Sequence, residues 1–99
     1  MMSLRAKYAL RAMLMLSKSD PEERVLAADI AKRQKIPQKF LEQILLELAR
    51  RGLVASRRGR NGGYSLAKRP DQITIGDIIR IADERIAELE SIFINQSRP

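Results

Sequence analysis

Residues 37–67 read PQKFLEQILLELARRGLVASRRGRNGGYSLA, and two different periodicities meet inside that stretch. In its first half Leu41, Ile44, Leu45 and Leu48 recur at i, i+3, i+4 and i+7, the stripe of an amphipathic helix. That stripe is read as core packing. Pro37 suits the first helical position, where a missing N–H costs nothing. Arg50, Arg51 and Gly52 supply a basic last turn and a glycine stop, so the helix is expected over about 37–51. The opposite face carries Gln38, Lys39, Glu42, Gln43 and Glu47, all long or polar and free to reach outward. After Gly52 the period becomes that of short strands, predicted at 53–57 and 64–67. Arg58, Gly59, Arg60, Asn61, Gly62 and Gly63 form the hairpin tip between them, and the glycines suit a tight turn with positive φ.

Working outward, Leu4, Tyr8, Ala12 and Leu16 repeat at four-residue spacing and predict a helix over 4–17, with Arg5, Lys7 and Arg11 off the apolar stripe. A polar loop containing Pro21 follows, then a short helix over 27–34 with Ile30 and Ala31 inward. On the other side, Thr74 with Asp77 three residues later resembles a shortened capping box. It opens a helix whose apolar face is Ile75, Ile78, Ile79 and Ala82. The acids Asp83, Glu84, Glu88 and Glu90 read as a solvated face. A further amphipathic stretch at 85–94 places Ile86, Leu89 and Phe93 on one side. The order predicts a mainly α fold with a small two-stranded β-hairpin, a winged helix-turn-helix over 1–83 and a short helical segment over 84–99.

The chain of 99 residues has no Cys and no His. Disulfides, Cys/His zinc sites, a thiol nucleophile and the commonest general base are therefore excluded, and an enzyme is the least favoured class. No apolar run approaches the ~18 residues of a membrane span, and no signal-peptide layout is visible, so a cytoplasmic protein is expected. The net charge of +7 is unevenly placed: residues 32–69 hold eleven basic residues against two acidic ones, a net of +9, and the ends together carry −2. A concentrated basic block is the electrostatic footprint of a polyanion binder.

The major groove of B-DNA admits one α-helix, so the outward face of residues 38–47 can be read as base-contacting. Glutamines 38 and 43 suit adenine, Glu42 suits cytosine N4, and Lys39 suits guanine or phosphate. Arg58 and Arg60 at the glycine-rich tip suit the negative potential of a narrow minor groove, with Arg57 at phosphate. Gly62 and Gly63 would let backbone approach the duplex, or serve only the turn. Two rival classes stay open. A winged helix can be a protein-interaction module without specific DNA binding. RNA binding calls for exposed stacking aromatics, and Tyr8, Phe40, Tyr64 and Phe93 are few and scattered.

Several ordered motifs resemble one family. They are Lys7-Tyr8-Ala9-Leu10, Ala28-Asp29-Ile30-Ala31, Ile36-Pro37, Phe40-Leu41-Glu42-Gln43-Ile44-Leu45, Gly52-Leu53-Val54, the stretch from Arg58 to Ala67, and Ile73-Thr74-Ile75-Gly76-Asp77-Ile78. From Leu4 to Asp83 the chain is similar to the Rrf-two family of bacterial winged-helix repressors, the IscR, NsrR and CymR type. The resemblance implies a homodimer on a near-palindromic operator in double-stranded DNA, with a regulatory partner protein as a further expectation. It puts Gln38, Lys39, Glu42 and Gln43 in the major groove, Arg58 in the minor groove, and Arg5 and Lys7 near phosphates. Family members that sense iron–sulfur status or nitric oxide carry three cysteines beyond the helix equivalent to residues 75–83. This chain has none, so no cofactor is expected. Family proteins also carry a long C-terminal dimerisation helix; residues 85–99 are expected as a shortened or truncated counterpart, with Ile86, Leu89, Ile92 and Phe93 supporting a dimer.

Overall fold

In a computed structural model of the chain, residues 2–84 are described. The order is α1 (Leu4–Lys18), α2 (Ala27–Gln34), α3 (Gln38–Arg50), β1 (Val54–Arg57), β2 (Gly63–Leu66), a 3-10 turn (Pro70–Gln72) and α4 over residues 75–84. The predicted winged helix-turn-helix is present. The expected stretch at 85–94, with Ile86, Leu89, Ile92, Phe93, Glu88 and Glu90, lies outside the described residues.

The stripe that defines α3 is its buried face: Leu41, Ile44, Leu45 and Leu48 are all but fully buried. α1 lies across α2, α3 and β2. Ala6, Ala9 and Ala12 have no exposed surface, and their small side chains let the α1 backbone come close. The buried side of α1 is Arg5, Ala6, Ala9, Ala12, Met13 and Leu16. The expected stripe is thus rotated: Leu4 is 58% exposed and Arg5 is buried. A four-residue repeat drifts around a 3.6-residue helix, so its first member swings off the contact. α4 differs in the same way, since Ile78, Ile81 and Ala82 are buried and Ile75 is 65% exposed.

Local chemistry sets the boundaries. Ser3 caps α1, its Oγ accepting from the Ala6 N–H at 3.0 Å. α2 ends at Lys35 in the left-handed conformation (φ 56°), which turns the chain so that the Ile36 N–H reaches the Ala31 carbonyl at 3.0 Å. Pro37 is the cap of α3 and not its first turn, because its backbone is extended and its carbonyl accepts from the Leu41 N–H. Thr74 and Asp77 make the expected reciprocal box: the Asp77 N–H donates to Thr74 Oγ1 at 3.0 Å and the Thr74 N–H to Asp77 Oδ2 at 3.4 Å. Hydrogen bonds from Thr74 and Arg80 hold the Asp77 carboxyl below its usual value.

The hairpin pairs Val54 with Leu66, Ala55 with Ser65, Ser56 with Tyr64 and Arg57 with Gly63. A third segment joins it. Val25 and Tyr64 exchange both backbone hydrogen bonds at 2.8 Å, fixing β2 to the chain entering α2. Adjacent leucines on α3 give a direct test of this packing. Leu45→Ala should cost about 2–5 kcal/mol in urea denaturation. Leu46→Ala, at a side chain 52% exposed, should stay within about 0.5 kcal/mol.

Candidate nucleic-acid interface

Because one side of α3 faces the core, the other is left to solvent. Gln38, Lys39, Glu42 and Gln43 are all exposed there, on the first two turns. Gln38 Nε2 donates to Glu42 Oε1 at 3.1 Å, joining two of the four. Glu47 is half-buried and lies 3.7 Å from Arg50, so it belongs to the flank of the helix. The sequence reading passed over Leu46. It is exposed one turn beyond Glu42 and Gln43, on the side opposite the buried stripe. Plotting all thirteen residues of α3 at helical spacing, and not only the polar ones, would have found it. An apolar side chain at such a place can contact a thymine methyl.

Arg57, Arg58 and Arg60 are exposed on the wing, and among the described residues none of them forms an ion pair. They differ in surroundings. Arg57 and Arg60 line a polar hollow shared with Glu22, Glu23 and Asp29, and Arg58 stands outside it. Arg58 is therefore the wing cation least opposed by carboxylates.

The two tip glycines have work inside the protein. A Cβ on Gly62 would sit 2.5 Å from the Arg57 carbonyl oxygen and 2.8 Å from that of Gly59. Gly63 has φ 130°, and a Cβ there would come within 2.7 Å of the Val25 carbonyl oxygen. Gly62 is also buried. Close approach by the chain's own backbone accounts for both glycines without any duplex.

The two candidates on α1 separate. Lys7 is exposed. Arg5 is 9% exposed; its Nε donates to the Ala82 carbonyl at 3.1 Å, and its Cζ lies 5.7 Å from the centre of the Phe40 ring. Phe40 meets Tyr8 edge-on at 5.7 Å. Arg5 thus ties α4 to α1 and α3 from inside, which differs from the phosphate position expected of it. Helical phase explains the difference, because Arg5 falls on the alanine face of α1.

Two of the acids read as a solvated face, Asp83 and Glu84, are tied into the protein. Asp83 Oδ1 accepts from Ser3 Oγ at 2.6 Å, and Glu84 binds Arg51 and Arg80. They fasten residues 83 and 84 of α4 to the start of α1 and the end of α3. Arg80 lies one turn from Glu84 on the same helix, but no residue pattern announced the ties to Ser3 and Arg51, which are 80 and 33 positions away along the chain.

The profile of the family described as "Rrf2: Iron-dependent Transcriptional regulator" matches residues 2–98. An rrf2-like HTH-type transcriptional regulator of Rhodobacter capsulatus is 40% identical, covering 100% of this chain and 68% of the relative. The HTH-type transcriptional regulator NsrR of Geobacillus kaustophilus is 42% identical, covering 85% of this chain and 57% of its own. Among solved structures, CymR, the global cysteine regulator of B. subtilis, superposes with a TM-score of 0.79 at 38% identity. That match covers 84% of this chain and 64% of CymR. The chain therefore spans between about half and two thirds of the curated relatives it matches. The family description names iron, and the residues of this chain do not fit it. There is no Cys or His, and among the described residues no three potential ligands gather.

Three substitutions separate fold from interface. Gly63→Ala should lower stability by about 1–3 kcal/mol through the strained φ and the collision with Val25. Arg5→Ala should cost about 1–3 kcal/mol by orphaning buried groups, whereas Lys7→Ala should stay within about 0.5 kcal/mol. Thermal or urea unfolding checks all three.

Proposed function

Since this chain belongs to the Rrf2 family of transcriptional regulators, which are not enzymes, we propose that it is the sequence-specific DNA-binding part of such a regulator. In this reading α3 enters the major groove and the wing follows the adjacent minor groove. One observation carries it: the solvent side of α3 holds an amide, an ammonium, a carboxylate and a second amide within two turns, and it is followed directly by a wing with three exposed arginines and no ion pair among the described residues. Side chains at the start of a recognition helix are those that reach base edges.

Roles follow from chemistry. Gln43 pairs with adenine, Lys39 with guanine or phosphate, and Glu42 accepts from cytosine N4. Arg58 enters the minor groove, and Arg57 and Arg60, nearer the acids of the hollow, serve phosphates. Lys7 contributes a phosphate contact from α1. Arg5, Gly62 and Gly63 act through the fold that presents these groups. Acting in the cytoplasm as a homodimer, a repressor of this kind would occupy a near-palindromic operator, its half-sites about one helical turn apart or a multiple of it. Residues 84–99, with Ile86, Leu89, Ile92 and Phe93, would contribute to the dimer, and a partner protein would supply regulation. Among the described residues no helix is long and apolar enough to cross a membrane.

Selection from random duplexes tests the reading. It should enrich a near-palindromic motif, and a winged-helix protein-docking module would enrich none. Arg58→Ala should weaken binding to that motif by about 1–3 kcal/mol, measured by fluorescence anisotropy at fixed salt. Unchanged affinity would remove the wing from the interface.

A further inference from the structure

Gln38 opens α3 and Glu42 stands one turn further on, both exposed, with Gln38 Nε2 bonded to Glu42 Oε1 at 3.1 Å. A carboxylate only accepts hydrogen bonds, so this contact settles the orientation of the amide as well as its position. The NH2 group is turned to Glu42, and Gln38 Oε1 is turned away. Glu42 Oε2 has no hydrogen-bond partner among the described residues. The bond leaves the pair two acceptors without a partner among the described residues, Glu42 Oε2 and Gln38 Oε1, and one remaining N–H on the Gln38 amide.

Two long side chains on a helix surface otherwise sample many rotamers, and fixing them on binding costs conformational entropy. A pair already bonded within the free protein loses less. Bond and edge together restrict which base fits. In the major groove guanine presents N7 and O6 acceptors, and thymine presents the O4 acceptor. Both oppose the Glu42 carboxylate, which only accepts. Adenine offers the N6 donor beside the N7 acceptor, whereas cytosine offers the N4 donor alone.

We propose that Gln38 is a positioning residue for Glu42, and that the pair acts as one acceptor unit selecting cytosine at a single position of each half-site. The proposal rests on the placement of α3 in the major groove. It assigns Gln38 a role different from reading adenine, because one N–H of its amide is committed to holding Glu42.

The test uses the full chain and three proteins: the unsubstituted protein, Glu42→Gln and Gln38→Ala, each carried through selection from random duplexes, with thermal melts confirming that all are folded. The unsubstituted protein should prefer cytosine at one half-site position by about fivefold or more. Glu42→Gln should abolish that preference. Gln38→Ala should reduce it several-fold at the same position while leaving enrichment elsewhere in the motif unchanged. N4-methylcytosine at that position should weaken binding of the unsubstituted protein and leave Glu42→Gln unaffected. If Gln38→Ala keeps the full cytosine preference, or loses preference at a different position, Gln38 does not position Glu42 and the proposal fails alone. If the unsubstituted protein enriches no motif, the DNA-binding reading fails and the proposal falls with it.

Discussion

Two backbone hydrogen bonds between Val25 and Tyr64 join the wing to the helix-turn-helix, and much of the local chemistry is arranged around them. Without them the hairpin would keep only its side-chain packing on α1 and α3 and lose its backbone tie to the chain entering α2, and a two-stranded ribbon is marginal in water. With them β2 has a neighbour on each side, and the chain entering α2 is locked to the strand that leaves the wing tip. Arg24 adds a side-chain bond across the same seam, its Nη1 donating to Ser65 Oγ at 2.9 Å. The seam demands close backbone approach, which is why position 63 excludes a Cβ. Geometry at the wing base is thus coupled to the placement of α2, and α2 packs on α3.

A second set of ties holds the other side of the domain. Ser3 with Asp83, Arg5 with the Ala82 carbonyl, and Arg51 with Glu84 draw residues 82–84 of α4 onto α1 and α3. Arg5 also lies against Phe40, in the first turn of α3. The helix proposed to read bases is consequently braced along its core face by the leucine and isoleucine stripe, and near its two ends by contacts reaching α4. Rigid support of this sort lets a few exposed side chains present a defined edge, because little freedom remains to be lost on binding.

How much of this was written in the sequence depends on range. The α3 stripe, the hairpin and the Thr74–Asp77 box were legible, because their signals lie within a few residues of one another. The burial of Arg5 was not, since an arginine reads as polar and only the phase set by three alanines places it inward. The Val25–Tyr64 bridge was not legible either: one residue pair carries no periodicity. Gly62 and Gly63 were legible as turn residues, yet the reason for the second lies 38 positions upstream at Val25. On the candidate surface, the polar residues of α3 were found by type. Leu46 was missed because exposed leucines are common and only its place among them is informative.

The most direct test of the account follows the protein's own signals when DNA binds. Two-dimensional NMR of the labelled chain, titrated with its selected duplex, would report each backbone amide and each arginine side chain. The account predicts that the largest perturbations fall on residues 38–46 of α3 and 57–61 of the wing. It also predicts that the buried alanine face of α1 stays nearly unchanged. Perturbations centred instead on the apolar groove between α1 and α4, around Leu10, Leu14 and Ile75, with α3 and the wing silent, would contradict it.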